Sequence, residues 1–393
     1  MALARGPAGR GESGRPAVNG ESALPTPRQS LLLEAALAGE PGPARAAWER
    51  WFAAGGLEGL DEGSFRLLSL VHFNLTRHGI EHPARGRLLG IRRKFWAENQ
   101  KLFHGVRPLV ERLRERGIPV MLGKGAALAA AAYPDAGLRP MRDVDVHVPR
   151  ESFPQAWEIA MAGGWTLAPG AYAPRPFCEE FLSFRHALPL RRANCEVDLH
   201  WNFLYWACAP GADAEVWRRA LPARFLDLDV FHPHPTHLFL QTCTHGLAWN
   251  PIAPLRWIAD AAWLLRAGVD WTGVIAEARR LRVVALLAKA VEALADQSFA
   301  AIPEETSAQL SSIPVPAWQH EELKTALVRG EPVPGIAAML KELNFRWLRS
   351  GAPPLAWPRY WLRYAQFYWR KETLPEVPAE VFRFLRRRLA RNT

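Results

Sequence analysis

The sequence predicts an α+β protein, with a mixed sheet flanked by helices, further helices before it and a helical C-terminal domain. Three observations carry this. Helix-type apolar spacing fills roughly the first hundred residues, short β-type runs between turn signals follow, and beyond Pro235 the pattern is again nearly all helix. Strands interleaved with helices in the middle stretch argue for one α/β or α+β core rather than a bundle or a sandwich. The expected organisation is a disordered tail over 1–28, a helical layer over 29–105, a core over 106–235 and a helical domain over 236–393.

Each element has its own signal. Met1 to about Arg28 is rich in Gly, Pro, Arg and Ser and lacks hydrophobic periodicity. Leu31–Ala54 and Ser64–Gly79 show helical apolar spacing. In Ala84–Arg116, Leu88, Ile91, Phe95, Leu102, Val106, Leu109 and Leu113 recur at about that period, and Arg116-Gly117 is a helix stop. Ile118–Leu122, Asp143–Val148 and Cys195–Trp201 read as strands, with helices at Ala126–Tyr133 and Phe153–Gly163. Helices are then expected at Thr236–Trp249, Leu255–Ala267, Trp271–Arg280, Val283–Phe299, Glu321–Val328 and Ala337–Leu348, with connectors at Ala300–Pro316 and Gly330–Pro334. Trp357–Arg370 is aromatic and basic, and Val381–Arg391 is Arg-rich. A C-terminal helix packed on the core is the commoner meaning of such a segment, with nucleic-acid or membrane-surface contact the alternative.

Composition bounds the function. The 393 residues are 49% hydrophobic and 22% charged, which excludes a wholly disordered chain. Forty-nine Lys and Arg against 39 Asp and Glu give a formal +10, which favours polyanionic partners without choosing among them. Cys178, Cys195, Cys208 and Cys243 form no Cys-x-x-Cys pair, so neither a disulfide framework nor a zinc knuckle is indicated. No signal-peptide core and no spanning apolar run is present, so the expectation is a soluble cytoplasmic protein without stable membrane insertion.

The chemistry concentrates in Gly123-Lys124-Gly125 and in Arg139-Pro140-Met141-Arg142-Asp143-Val144-Asp145. Side chains alternate along a strand, so Asp143 and Asp145 share one face while Val144 and Val146 point into the core. Two bare carboxylates on one face repel, a conflict that a divalent cation resolves, and hard oxygen donors suit Mg²⁺ bridging to phosphates. In Cys195–Trp201, Glu196 and Asp198 share a face by the same alternation, so a third acid joins the site if that strand pairs beside the first. Such a triad can hold two metal ions about 3.5–4 Å apart. Gly123 and Gly125, between a strand and a helix, would let backbone amides approach phosphate oxygens, with Lys124 adding charge.

That ordered set resembles the nucleotidyltransferase superfamily that includes DNA polymerase beta. More closely, Lys124-Gly125-Ala126, Tyr133-Pro134, Arg139-Pro140-Met141, Asp143, Asp145 and Asp198-Leu199-His200-Trp201 resemble a bacterial family of uncharacterised nucleotidyltransferases. With His245 and the Leu255–Asp260 stretch, the resemblance runs over roughly residues 30–300. It departs from the wider superfamily where Lys124-Gly125 replaces a Gly-Ser signature, and where Arg142 directly precedes the first Asp.

The resemblance implies a nucleotidyltransferase-type mixed sheet, with 106–235 as the catalytic core and 236–393 as a substrate-binding domain. It implies Mg²⁺- or Mn²⁺-dependent transfer of an NMP, AMP from ATP before another NTP, to a hydroxyl or phosphate on an unknown small molecule, peptide or protein. Asp143, Asp145 and Asp198 would be the catalytic and metal-binding residues, and Asp198 is preferred over Glu196 on the resemblance alone. Gly123, Lys124, Gly125, Arg139 and Arg142 would contact the nucleotide, although Arg139 could instead pair with an acid and Arg142 could simply cover the rim. His200 is expected as a buried, hydrogen-bonded support. Arg256 and Asp260 are expected as an ordinary ion pair four residues apart. His232, His234, His237, Cys243 and His245 match no zinc signature, and His237, Gln241, Thr244 and His245 are read as core packing before a substrate cleft. The alternative function is a non-catalytic nucleotide or peptide binder retaining the fold. An Asp-x-Asp glycosyltransferase is disfavoured by the helical first hundred residues, and nucleic acid is not the favoured partner.

Overall fold

The computed structural model describes residues 24–174, 177–248, 255–327 and 336–389. Most of the expected disordered tail, the Gly330–Pro334 connector and the end of the Arg-rich segment lie outside the described residues.

Helix α1 (Pro27–Leu37) begins where Thr26 and Gln29 form a reciprocal capping box and Pro27 takes the first helical position. It is separate from α2 (Pro41–Ala53), because Gly39-Glu40-Pro41 interrupts the helical spacing of Leu31–Ala54. Helix α3 (Glu62–Arg77) starts at Asp61, whose carboxylate accepts the Ser64 N–H at 2.9 Å. The 31-residue α4 (Arg85–Glu115) buries Leu88, Phe95, Leu102, Val106, Leu109, Val110 and Leu113 along one stripe. Of these helices, α4 packs on a seven-stranded sheet whose order is β3 (Thr166–Leu167), β4 (Ala187–Arg192), β5 (Cys195–His200), β2 (Val144–His147), β1 (Met121–Leu122), β7 (Leu228–His232) and β6 (Leu221–Phe225).

In chain order the core elements are β1 (Met121–Leu122), α5 (Lys124–Ala131), β2 (Val144–His147), α6 (Phe153–Ala162), β3 (Thr166–Leu167), α7 (Glu179–Phe184), β4 (Ala187–Arg192), β5 (Cys195–His200), α8 (Ala214–Arg218), β6 (Leu221–Phe225) and β7 (Leu228–His232). Strand β2 lies parallel to β5 and antiparallel to β1, and β1 pairs parallel with β7, so the sheet is mixed and the fold is α+β. The hairpins β4–β5 and β6–β7 add antiparallel pairing on either side.

The C-terminal region is helical, with α9 (Pro235–Gly246), α10 (Leu255–Ala267), α11 (Trp271–Arg280), α12 (Val284–Ala295), α13 (Glu304–Ser312), α14 (Ala317–Leu327), α15 (Ile336–Ser350), α16 (Trp357–Tyr368) and α17 (Glu376–Leu389). The expected connector Ala300–Pro316 therefore holds α13, which Pro303 opens and Leu310 anchors in the core. The aromatic Trp357–Arg370 segment packs on the core: Phe367 meets Phe181 at 5.0 Å between ring centroids, and Tyr360 meets Phe184 at 4.7 Å. One contiguous hydrophobic cluster runs from Leu32 through the sheet to Val377. Among the described residues, no helix is long and apolar enough to cross a membrane.

Candidate active site

The register of the two central strands builds the site. Asp145 on β2 stands beside Asp198 on β5, and His147 beside His200, while Val144, Val146, Val197 and Leu199 are fully buried on the other face. Both carboxylates and both imidazoles thus share one face of the sheet. Asp143 lies one residue before β2 and is exposed, as is Glu196, which sits opposite Arg191. Among the described residues, Asp145, Asp198 and His200 form the group whose potential ligand atoms all lie within 4.8 Å of one another. Asp143, one residue before the strand, stands outside that group, and its charge acts on Asp198.

Burial opposes ionisation of Asp145, but the Lys124 ammonium, with Nζ 2.8 Å from Oδ1, and His200, whose Nε2 donates to the same oxygen at 2.8 Å, hold its carboxyl well below the usual range. Asp198 moves the other way: burial first, then the charges of Asp143 and Asp145, push its carboxyl up. For Lys124, burial is outweighed by Asp145 and Asp198, so its pKa is raised. One carboxylate is therefore ionised and paired, and its neighbour strains against two like charges. Two carboxylates in this state suit a divalent cation, which would relieve the like-charge repulsion that adds to burial in raising Asp198, while His200 keeps its N–H on Asp145.

His200 is fully buried and hydrogen-bonded. Its ring stacks on His147 at 4.2 Å and meets His186 edge-on at 5.0 Å. His147 and His186 carry no signal in the sequence beyond strand alternation, and each has one buried ring nitrogen without a partner among the described residues.

The glycine turn comes close to protein atoms. A Cβ on Gly123 would lie 2.2 Å from His147 Nε2, and one on Gly125 would lie 2.5 Å from Arg139 Nη1 and 2.9 Å from Met141 Sδ. Between them Lys124 has φ +30°, a conformation L-residues rarely adopt, and its N–H donates to Gln241 Oε1 of α9 at 3.4 Å. The turn is thus pressed against the acidic face of β2, which brings Lys124 onto Asp145.

The arginines divide. Arg139, expected at the nucleotide, is instead buried, giving Nε and Nη2 to the two oxygens of Asp260 at 2.9 and 2.8 Å, while Tyr133 donates to Oδ1 at 2.8 Å. Asp260 thereby leaves the expected pair with Arg256, whose Nη1 donates to the Pro140 carbonyl at 2.6 Å. Arg142 is exposed and pairs with Glu62. Asn99 on α4 clamps the loop ahead of β2: its amide donates to the Ala136 and Arg139 carbonyls at 2.6 and 2.9 Å, and its oxygen accepts the Met141 N–H at 3.0 Å. Asn99 carries no motif and was not foreseen. His237, Gln241 and Thr244 are buried on α9, and His234 caps that helix.

The family model described as "Uncharacterised nucleotidyltransferase" matches residues 64–297, more than half of the chain. The chain belongs to this nucleotidyltransferase family. The matched segment includes the sheet, the glycine turn, both aspartate strands and α9 to α12. The solved structures similar to it include the crystal structure of ANT(2'')-Ia in complex with adenylyl-2''-tobramycin, at 13% identity and a TM-score of 0.33, covering 45% of this chain and 95% of that one. A solution structure of the antibiotic-resistance factor ANT(2'')-Ia is similar at 12% identity and a TM-score of 0.32, covering 47% of this chain and 92% of that one. No curated protein matches.

Proposed function

We propose that this nucleotidyltransferase moves an NMP, AMP from ATP before other nucleotides, onto a hydroxyl or phosphate of a small-molecule, peptide or protein acceptor. The observation that carries the reading is the pairing of Asp145 with Asp198 on adjacent parallel strands, with Asp143 at the open end of the same face. Asp145 and Asp198, with Asp143 at the rim, would hold Mg²⁺ or Mn²⁺. A divalent ion there supplies charge neutralisation at the phosphates and lowers the pKa of an attacking hydroxyl.

The chain's own residues have separate tasks. His200 fixes the orientation of Asp145 by its hydrogen bond. Asp198, pushed up by burial and then by its neighbours, is the acid whose carboxylate accepts the acceptor's proton or orients the attacking hydroxyl. The acceptor oxygen bonds to the α-phosphorus, the bond from that phosphorus to the bridging oxygen breaks, and pyrophosphate leaves with the electron pair. Gly123, Lys124 and Gly125 form the turn nearest the phosphates, with Arg142 at the rim. The helices of 236–393 form the acceptor side, and the reaction takes place in the cytoplasm.

The test follows label from [α-³²P]ATP, and from the other three triphosphates, into an extract supplied with Mg²⁺ or Mn²⁺. The reading expects a labelled acceptor whose formation stops without the metal. A second reading, a nucleotide or peptide binder that keeps the fold, is favoured by the Lys124 ammonium, which already neutralises Asp145 as a cation would. It expects nucleotide binding and no labelled product.

A further inference from the structure

Four guanidiniums crowd the rim of the acidic face, and the carboxylates paired with them are two. Arg139 is taken up by Asp260. Arg66 of α3 and Arg142 share one oxygen of Glu62. Arg256 is half-buried on α10; among the described residues it pairs with no carboxylate, and its one hydrogen bond there is from Nη1 to the Pro140 carbonyl. Burial, then the charges of Arg139 and Arg66, press the Arg256 pKa down to about 10, while Asp260 and Asp143 pull against them. A guanidinium keeps its proton in practice; the direction comes first from burial and then from the two neighbouring guanidiniums. Pro140 stands three residues before Asp143, which fixes the Arg256 guanidinium beside the mouth of the acidic strand. Asp143 acts electrostatically on both Arg66 and Arg256.

A chain that places surplus guanidiniums next to clustered carboxylates is suited to a ligand carrying both a metal and a high negative charge. Planar N–H forks match phosphate oxygens in pairs. We infer that Arg256 and Arg66 form the seat of the β- and γ-phosphates of the nucleoside triphosphate, and of pyrophosphate as it departs. The inference rests on the nucleotidyl-transfer reading above, and it assigns the polyphosphate tail to two helices outside the glycine turn.

The test measures binding to the full chain in Mg²⁺ by calorimetry. Each of the four triphosphates is tried on the wild type, and the tightest is carried forward with its monophosphate and inorganic tripolyphosphate to Arg256→Gln, Arg256→Lys and Arg66→Gln. Losing charge-assisted bonds to phosphate, Arg256→Gln should weaken triphosphate and tripolyphosphate roughly tenfold or more while leaving the monophosphate within about twofold. Arg256→Lys should recover part of that loss, and Arg66→Gln should act in the same direction. Unchanged triphosphate and tripolyphosphate binding in Arg256→Gln would overturn the inference. So would an equal loss for triphosphate and monophosphate, the mark of an arginine that only holds the Pro140 loop. If the wild type binds triphosphate but Arg256→Gln behaves like it, only this inference falls. If the wild type binds none of the four, the nucleotide reading falls with it.

Discussion

At the scale of single residues, the site is a set of close approaches that the sequence half reveals. The alternation Asp-Val-Asp-Val puts acids on one face and valines on the other, and the buried valines agree with it. What alternation could not reveal is that Gly123 makes room for His147. We expect Gly123→Ala, whose Cβ would fall 2.2 Å from His147 Nε2, to cost about 1–3 kcal/mol of stability by overpacking. Adding His147→Ala should give a double variant less destabilised than the sum of the singles, a coupling that urea unfolding measures. A second residue-scale prediction concerns Asp213. Burial pushes its carboxyl up to about 7, against the Phe203 N–H at 2.6 Å and the charges of Arg150 and Arg280. A raised folded-state pKa means that the folded chain favours the protonated form, so this contribution is complete below the ordinary carboxyl range and is lost as pH rises through about 7. Asp213→Asn keeps an acceptor for Phe203 without the charge. Its melting temperature should gain on the wild type between pH 5 and pH 8, and a difference constant across that range would contradict the assignment.

At the scale of elements, helices were more legible than strands. The sequence ranges Leu255–Ala267 and Trp271–Arg280 coincide with α10 and α11, and Ala84–Arg116 brackets α4, because an apolar stripe of helical period is a local signal. Strand β4 escaped because Pro189 sits inside it, and the β6–β7 hairpin because its turn uses Leu226 at φ +55° rather than a glycine. The pairing of Arg139 with Asp260 was also out of reach. It joins the loop before β2 to α10 across 121 residues, whereas the local spacing offered Arg256 as the partner. That pair ties the helical region to the core, so Asp260→Ala, which strands a buried guanidinium, should cost about 3–5 kcal/mol. Replacing both partners, as Arg139→Met with Asp260→Leu, should recover much of it. Equal destabilisation of single and double variants in urea would show that the pair itself is not what the single change breaks.

At the scale of the whole molecule, the sheet order places β2 and β5 at adjacent, central positions, with α4 packed on both. This is how residues 53 apart in sequence, Asp145 and Asp198, come to face a common point. The motif order made the two aspartate-bearing strands legible, since each carries its own acid in a strand-like run. Their parallel register, and the arginines that α3 and α10 bring to the rim, belong to the tertiary arrangement and have no local signature. The formal charge of +10 is consistent with an anionic substrate, and at the rim it takes a specific form as guanidiniums in excess of carboxylates. The proposed chemistry rests on the Asp145–Asp198 pair. The most direct measurement is pyrophosphate release from the preferred triphosphate with Mg²⁺ and the acceptor-containing extract, comparing wild type with Asp145→Asn and Asp198→Asn, each checked for folding by circular dichroism. The wild type should release pyrophosphate, and each folded variant should lose about 10³-fold or more of that rate, several kcal/mol of barrier. Release by either folded variant at the wild-type rate would show that the pair does not carry the reaction.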